Sequence, residues 1–262
     1  MNDIAGFIPV GCKECRNKTD LGIDFTMAFQ PIVDISKKSI FGYEALVRGI
    51  NNEGAFSVLS QLTDSNRYRF DQTIRVKAID LAKSLNLQGM LSINFLPNAV
   101  YKPETCIRAT LEAAAEMDFP TNQLMFEVSE AEKVIDINHL REIFKEYKKH
   151  NFTTAIDDFG AGYAGLNLLA DLEPDIVKLD MAMTRNIHTD RVRQSLVYAI
   201  ISACKELGIT IIAEGIESVD ECNALAQQGV TLFQGYHFAK PGFEFLPTIH
   251  DSAWANIRQR VN

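Results

Sequence analysis

The chain has no apolar run long enough to span a bilayer, so no membrane insertion is expected. It has no block of Lys or Arg, and 26 basic residues are outnumbered by 34 acidic ones, for a formal net charge of -8. That balance argues against DNA, RNA or an anionic membrane as a partner. Residues Met1 to Val10 lack both a basic start and a long apolar core, so export is not expected. Cysteine is scarce and odd in number, five, and three of them (Cys106, Cys204 and Cys222) sit in helical patterns. A reduced, cytoplasmic protein is the expectation. The other two form Cys12-Lys13-Glu14-Cys15, and no second C-x-x-C or H-x-x-H follows at zinc-ribbon spacing. The pair is a redox couple, half of a zinc site, or of no special role.

What is present is a full-sized core, 47% hydrophobic residues over 262, arranged in alternating strand and helix patterns. Phe25 to Ile35 and Ser39 to Arg48 read as strands joined by Ser36-Lys37-Lys38. A link that short permits only an antiparallel hairpin. Later strands are expected at Leu91 to Phe95, Gln123 to Val128, Phe152 to Asp158, Asp175 to Asp180, Gly208 to Glu214 and Val230 to Gly235. Helical spacing separates them: Phe70 to Leu85, Cys106 to Met117, Leu140 to Tyr147, Val192 to Leu207 and Cys222 to Ala226. The apolar series Val192, Leu196, Ala199/Ile200, Ala203 and Leu207 is the strongest of these, and a closing helix with Trp254 is expected over Phe245 to Val261. Eight strands in a chain of this size fit an α/β fold, a TIM-like (β/α)8 barrel with an antiparallel first strand. The expected division is a lead-in, residues 1–24, and a barrel, residues 25–262.

The polar residues on these strands recur in one place. Glu44 is near the end of the second strand, Asn94 ends the third, Glu127 is late in the fourth, and Asp157 and Asp158 end the fifth. Lys178, Glu214 and Gln234 follow on the sixth, seventh and eighth. In a parallel barrel the C-terminal strand ends surround one opening, where catalytic groups collect. Each of these residues alone could simply satisfy a neighbouring loop, and a doubled Asp before glycines is common on surface turns. Together, five carboxylates and an amide make an oxygen-rich nest for Mg²⁺ or Mn²⁺ rather than zinc. His139, His150, His188, His237 and His250 occupy none of these positions and are expected near the surface. Asp157, beside Asp158, is placed to bridge two ions roughly 3.5–4 Å apart, the arrangement used for in-line displacement at phosphorus. Lys178 is suited to orient a water or offset charge at phosphorus, and Arg48 to take a second phosphate through its fork of donors.

With those residues in place the chain resembles the EAL-domain family of cyclic di-GMP phosphodiesterases. The name motif is Glu44-Ala45-Leu46, inside Tyr43-Glu44-Ala45-Leu46-Val47-Arg48. Further matches are Gln30-Pro31-Ile32-Val33, Glu127-Val128-Ser129-Glu130, Asp157-Asp158-Phe159-Gly160-Ala161-Gly162-Tyr163, Lys178-Leu179-Asp180, Ala213-Glu214-Gly215-Ile216-Glu217 and Gln234-Gly235-Tyr236. The resemblance implies two Mg²⁺ or Mn²⁺ ions and hydrolysis of cyclic di-GMP to linear pGpG. By the same resemblance Glu44, Asn94, Glu127 and Asp157 would hold one ion, and Asp157, Asp158 and Glu214 the other. Lys178, Glu214 and Gln234 would serve the chemistry; Gln30, Leu46, Arg48 and Asp180 would contact the nucleotide. Glu130 looks like the family's glutamate that anchors the loop from Asp158 to Leu169, which links the metal site to a homodimer interface.

Gly49 and a short polar stretch stand where many members carry an aromatic and a proline-containing run. Arg67-Tyr68-Arg69-Phe70-Asp71-Gln72 and Asn167-Leu168-Leu169-Ala170-Asp171 resemble the subgroup that sometimes follows a blue-light-sensing flavin domain. The 24 residues before the barrel are too short for such a domain, so a regulatory partner stays unidentified. Two other readings compete. One is a catalytically silent EAL-type receptor or interaction module, whose members lack a ligand, the loop glutamate or the lysine. The other is an enolase-type barrel abstracting a carbon-bound proton, which calls for a separate base across the mouth and no role for Arg48.

Overall fold

The computed structural model describes residues 21–100, 102–130, 136–162 and 165–258. Cys12 and Cys15 lie outside the described residues. The strands are β1 (Thr26–Asp34), β2 (Ser39–Arg48), β3 (Met90–Asn94), β4 (Leu124–Ser129), β5 (Thr153–Phe159), β6 (Ile176–Leu179), β7 (Thr210–Ala213), β8 (Leu232–Gln234) and β9 (Gly242–Phe243). From β2 to β8 each strand pairs in parallel with the next. The barrel closes through β1, which runs antiparallel to both β2 and β8. The two-residue β9 adds outside β1. The altered first strand has a local cause. Asp34 Oδ1 accepts from the Ser36 amide at 2.9 Å and the Ser36 hydroxyl at 2.5 Å, folding an Asx turn, while Lys38 takes φ +50° to complete the hairpin. Gly42 serves the next joint: a Cβ there would meet the Met90 carbonyl oxygen at 2.3 Å, so only glycine lets β2 lie against β3.

Strand pleating sorts each strand into two faces, with residues two apart sharing one. Inside the barrel, Ile32, Met125, Ala155, Ile176, Ile212 and Leu232 form a small apolar cluster of their own. Two residues further along their strands stand Glu127, Asp157, Lys178, Glu214 and Gln234. The barrel is thus plugged by hydrocarbon below and carries its charge in the layer above. The alternate positions, among them Phe126, Ile156, Val177, Ile211 and Phe233, join the larger core under the helices.

That outer core contains one charge the helical pattern did not reveal. Arg75, on the helix Arg67–Ser84, is fully buried. Its guanidinium donates to Asp71 Oδ2 at 2.6 Å and to the Tyr147 hydroxyl at 2.7 Å, and it lies 5.1 to 5.6 Å from the ring centroids of Phe126, Phe95 and Tyr147. Asp71 Oδ1 accepts from the Leu96 amide at 2.8 Å, which ties the helix to the backbone just past Asn94. A buried ion pair broken on one side leaves the other charge stranded. Arg75→Ala is therefore expected to cost about 3 to 5 kcal/mol in chemical denaturation, more than Arg75→Ala/Asp71→Ala relative to Asp71→Ala.

Two helical expectations change. Among its described residues, the segment expected as a closing helix holds a 3-10 turn, Asp251–Trp254, and no α-helix. Pro247 lies within it, lacks an N–H and disfavours helical geometry in Leu246, and the His250 imidazole caps the short turn through the Ser252 amide. The helix Arg191–Glu206 forms, but it turns Val197, Ile201 and Cys204 to the core. Val192 and Leu196, which the spacing placed on its apolar face, are 74% and 58% exposed.

Candidate active site

The barrel mouth centres on Lys178. Its side chain is fully buried, and Nζ lies 2.7 Å from Glu127 Oε2, 2.8 Å from Glu214 Oε1, 3.0 Å from Asp157 Oδ1 and 3.3 Å from Glu44 Oε2. One ammonium thus holds four carboxylates from β2, β4, β5 and the end of β7. Glu44 also accepts from Asn94 Nδ2 at 3.0 Å and from Gln234 Nε2 at 2.6 Å. The Gln234 amide reaches Gln30 Oε1 at 3.3 Å, and Gln30 Nε2 donates to the Ala239 carbonyl at 3.3 Å. Gln234 Oε1 is buried without a hydrogen-bond partner.

Adjacent Asp157 and Asp158 reach the same space because β5 is irregular there. Its pairing with β6 slips between Ile156 and Phe159, and Asp158 adopts φ +54°. An extra residue in the ladder and a left-handed backbone turn a side chain that simple alternation would aim at the opposite face. Ser129 Oγ donates to Asp158 Oδ2 at 2.7 Å. The loop that follows is held by Glu130: Oε2 accepts from the Gly160 amide at 2.6 Å and Oε1 from that of Gly165 at 3.0 Å.

Burial and crowding shift three of the carboxylates at the mouth toward their protonated forms. Burial pushes Glu127 up to about 8 although Lys178 pulls it down. Burial likewise raises Glu214 well above the usual carboxylate range, and burial with the neighbouring Asp157 charge raises Asp158. Burial works against the Lys178 ammonium, yet Asp157, Glu127, Glu214 and Glu44 outweigh it and hold its pKa well above the ordinary value. A divalent cation would relieve this imbalance by displacing protons from the cluster.

The donor set fits such ions. Glu44, Glu127 and Asp157 place carboxylate oxygens within 4.8 Å of one another, and so do Asp157, Asp158 and Glu214. The two trios share Asp157, whose Oδ1 is buried and makes no hydrogen bond although it lies 3.0 Å from Lys178 Nζ. All these donors are hard oxygens, which suit Mg²⁺, Mn²⁺ or Ca²⁺. Among the described residues no histidine joins either trio.

Above the cluster opens a cavity of about 490 Å³, lined by Gln30, Glu44, Asp157, Asp158, Asp180, Met181, Glu214, Gly215, Glu217, Gln234, Gly235 and Tyr236. Asp180 also caps the short helix Met181–Thr184 by accepting from the Ala182 amide at 2.7 Å. Leu46 and Arg48 lie apart from this cavity. Leu46 faces a smaller apolar pocket of about 220 Å³ that Asn94 and Ser129 also line, and Arg48 Nη1 donates to the Val47 carbonyl at 2.7 Å. Ser92, which hydrogen-bonds Glu127 Oε1, and Ser129 were missed from sequence. Both stand two residues from a named site residue on the same strand, so pleating carried the signal. Glu217 and Tyr236 stood inside the quoted motifs without a role assigned to them, and Met181, which opens the short helix after β6, had no signal.

A barrel with a reversed first strand and two overlapping carboxylate trios at its mouth defines the EAL architecture. The EAL domain pattern matches residues 16–241, and this chain belongs to the EAL domain family. It is 32% identical over 228 residues to the blue light- and temperature-regulated antirepressor BluF of Escherichia coli strain K12, covering 87% of this chain and 56% of BluF. It is 28% identical over 228 residues to the probable cyclic di-GMP phosphodiesterase PdeD of the same strain, covering 83% and 42%. The chain therefore spans about half the length of these relatives. Among solved structures, the c-di-GMP-bound form of a standalone versatile EAL protein from Vibrio cholerae O395 superposes with a TM-score of 0.86 at 57% identity, covering 88% of this chain and 98% of that one. The manganese and cyclic di-GMP complex of Klebsiella pneumoniae BlrP1 superposes with a TM-score of 0.80 at 32% identity, covering 85% and 57%.

Proposed function

We propose that this chain hydrolyses cyclic di-GMP to linear pGpG at the barrel mouth, with two Mg²⁺ or Mn²⁺ ions, as a cytoplasmic homodimer. The observation that carries the reading is the pair of carboxylate trios sharing Asp157 around one buried ammonium. Glu44, Asn94, Glu127 and Asp157 would hold one ion and Asp157, Asp158 and Glu214 the other. When bound, the ions polarise the phosphodiester and lower the pKa of water. The chain's own groups do the rest. Lys178, fixed by its carboxylates, presents a cation where negative charge gathers on phosphorus, and the free Gln234 Oε1 offers an acceptor for a proton of the attacking water. Adding one water across one ester bond leaves a phosphomonoester and a ribose hydroxyl. Gln30 and Asp180 would meet the nucleotide inside the cavity, with Leu46 and Arg48 on its β2 side.

The homodimer reading rests on the exposed apolar groups Leu166, Val192 and Leu196, which a second copy would cover. Glu130 couples to this through the Gly160 and Gly165 amides of the loop that bears Leu166. Glu130→Ala is expected to lower metal affinity or turnover about 10- to 100-fold with the fold intact, read by calorimetry with Mn²⁺ and by circular dichroism. Wild-type values for both would remove Glu130 from the machinery.

The test of function is chromatography of cyclic di-GMP incubated with the protein and each divalent ion, at several protein concentrations. The expected result is pGpG with Mg²⁺ or Mn²⁺, none with EDTA, and a specific activity that rises with protein concentration. A second reading, a catalytically silent receptor or protein-interaction module, draws on the BluF relative, whose name gives antirepression rather than hydrolysis. Intact dinucleotide held by the metal-loaded protein would establish it.

A further inference from the structure

Outside the cavity lies a second buried carboxylate that collects backbone amides. Glu221, 2% exposed, is the third residue of the helix Val219–Ala226. Its Oε2 accepts from the Ser218 amide at 3.1 Å, and Ser218 Oγ accepts from the Glu221 amide at 3.3 Å, a reciprocal helix cap. The cap explains that pair of bonds and no more. Glu221 Oε2 also accepts from the Glu217 amide at 2.9 Å, and Oε1 accepts from the Asn186 amide at 2.8 Å. Glu217 lies in the loop after β7, and Asn186 in the loop after the short helix that follows β6. One side chain therefore joins two loops that are 31 residues apart in sequence (217 − 186).

Those loops build one wall of the cavity. Glu217, Met181 and Gly215 line it. Arg185 Nη2 donates to Glu217 Oε1 at 2.7 Å and Nη1 lies 2.6 Å from Oε2, and Thr184 Oγ1 donates to the Glu214 carbonyl at 2.6 Å. At Gly215, φ is +63° and a Cβ would meet Met181 Cβ at 2.6 Å, so the loops touch with no room to spare. Glu130 holds the loop after β5 by the same device, a carboxylate accepting several amides. Glu214 itself is fixed separately, by its amide on the Leu179 carbonyl at 3.1 Å and its carboxylate on Lys178 at 2.8 Å.

We infer that Glu221 is a positioning residue that ties the β6 and β7 loops together and so sets the wall against which the substrate seats. This rests on the reading that the cavity takes the dinucleotide. Because the Glu214 carboxylate and the Lys178 ammonium hold each other without Glu221, Glu221 acts on substrate affinity rather than on turnover. Glu221→Gln keeps the shape, but its NH2 group faces a backbone N–H where an acceptor is needed, so one loop must let go.

In the wild-type protein, hydrogen exchange followed by NMR is expected to find the Asn186 and Glu217 amides protected. Glu221→Gln is expected to speed exchange at one of the two, whichever amide meets the NH2 group, and to raise KM about tenfold with kcat within about twofold, the scale of one lost charged hydrogen bond. Calorimetric Kd for cyclic di-GMP in Ca²⁺ rises by the same factor. Ser218→Ala removes the hydroxyl half of the cap and is expected to leave Asn186 exchange, KM and Kd unchanged. The inference fails if the wild-type amides exchange as freely as open loops, if Glu221→Gln leaves Kd and KM unchanged, or if Ser218→Ala reproduces its effects. Absence of pGpG from the wild type would defeat the functional reading alone, since exchange and Kd still decide the role of Glu221.

Discussion

Asp157→Asn is expected to abolish the proposed hydrolysis of cyclic di-GMP while leaving the metal-free protein at least as stable as the wild type. The two halves of this expectation have one cause. Asp157 is the residue common to both carboxylate trios, so its loss weakens both ion sites at once, and a fall in turnover on the order of 10³ or more is expected. In the metal-free protein the same carboxylate is one of four crowded around a single ammonium, and burial with mutual repulsion already drives Glu127 and Glu214 toward their protonated forms. Removing one negative charge lessens that repulsion, and asparagine keeps the shape. The measurement is paired: product formation with Mn²⁺, and thermal unfolding with and without Mn²⁺. The wild type is expected to unfold at a higher temperature when Mn²⁺ is added, and the variant's transition should not move, since linkage needs a bound ion. A variant that still forms pGpG at near wild-type rate, or whose transition rises fully with Mn²⁺, would show that Asp157 bridges nothing.

The barrel and the gathering of these residues at its mouth were readable in the sequence because pleating writes them there twice. Met125 and Glu127, Ala155 and Asp157, Ile176 and Lys178, Ile212 and Glu214, and Leu232 and Gln234 are each two residues apart, apolar below and polar above on one inward face. The short Ser36-Lys37-Lys38 link likewise determined the reversed first strand. What the pattern could not carry were effects that depend on contact across the fold. Asp158 breaks alternation through a left-handed backbone set by a slipped ladder, which no spacing announces. Arg75 looks like an ordinary solvated helix position until Asp71, Tyr147, Phe95 and Phe126 enclose it. Val192 and Leu196 repeat at helical spacing, yet spacing identifies a helix face without saying what covers it. Leu46, two residues from Glu44 within β2, lines a neighbouring pocket although alternation alone puts it on the face of Glu44.

Lys178→Ala tests the other end of the same electrostatic balance, and its expected signature is dependence on pH. Without the ammonium, Glu44, Glu127, Asp157 and Glu214 lose the cation lying 2.7 to 3.3 Å from them. Breaking a buried ion pair from one side costs about 3 to 5 kcal/mol unless the stranded charges take up protons. In the metal-free wild type, burial keeps Glu127 protonated up to about pH 8 in the folded chain, against an ordinary value of 4.5. Between those limits the folded state binds more protons than the unfolded one, so stability falls as pH rises from about 4.5 to 8. Taking away the lysine steepens that fall. The variant should therefore lose more stability at pH 8 than at pH 6, and Mg²⁺ or Mn²⁺ should return most of it by supplying the missing positive charge. Turnover follows a different course. If the ammonium faces charge that develops on phosphorus, kcat drops about 10² to 10³-fold with KM changed little, and added metal does not restore it. Should Lys178→Ala match the wild type in kcat once loaded with metal, the lysine is a counter-ion of the empty cluster alone; should its stability loss be the same at pH 6 and pH 8, the carboxylates around it are not sharing protons.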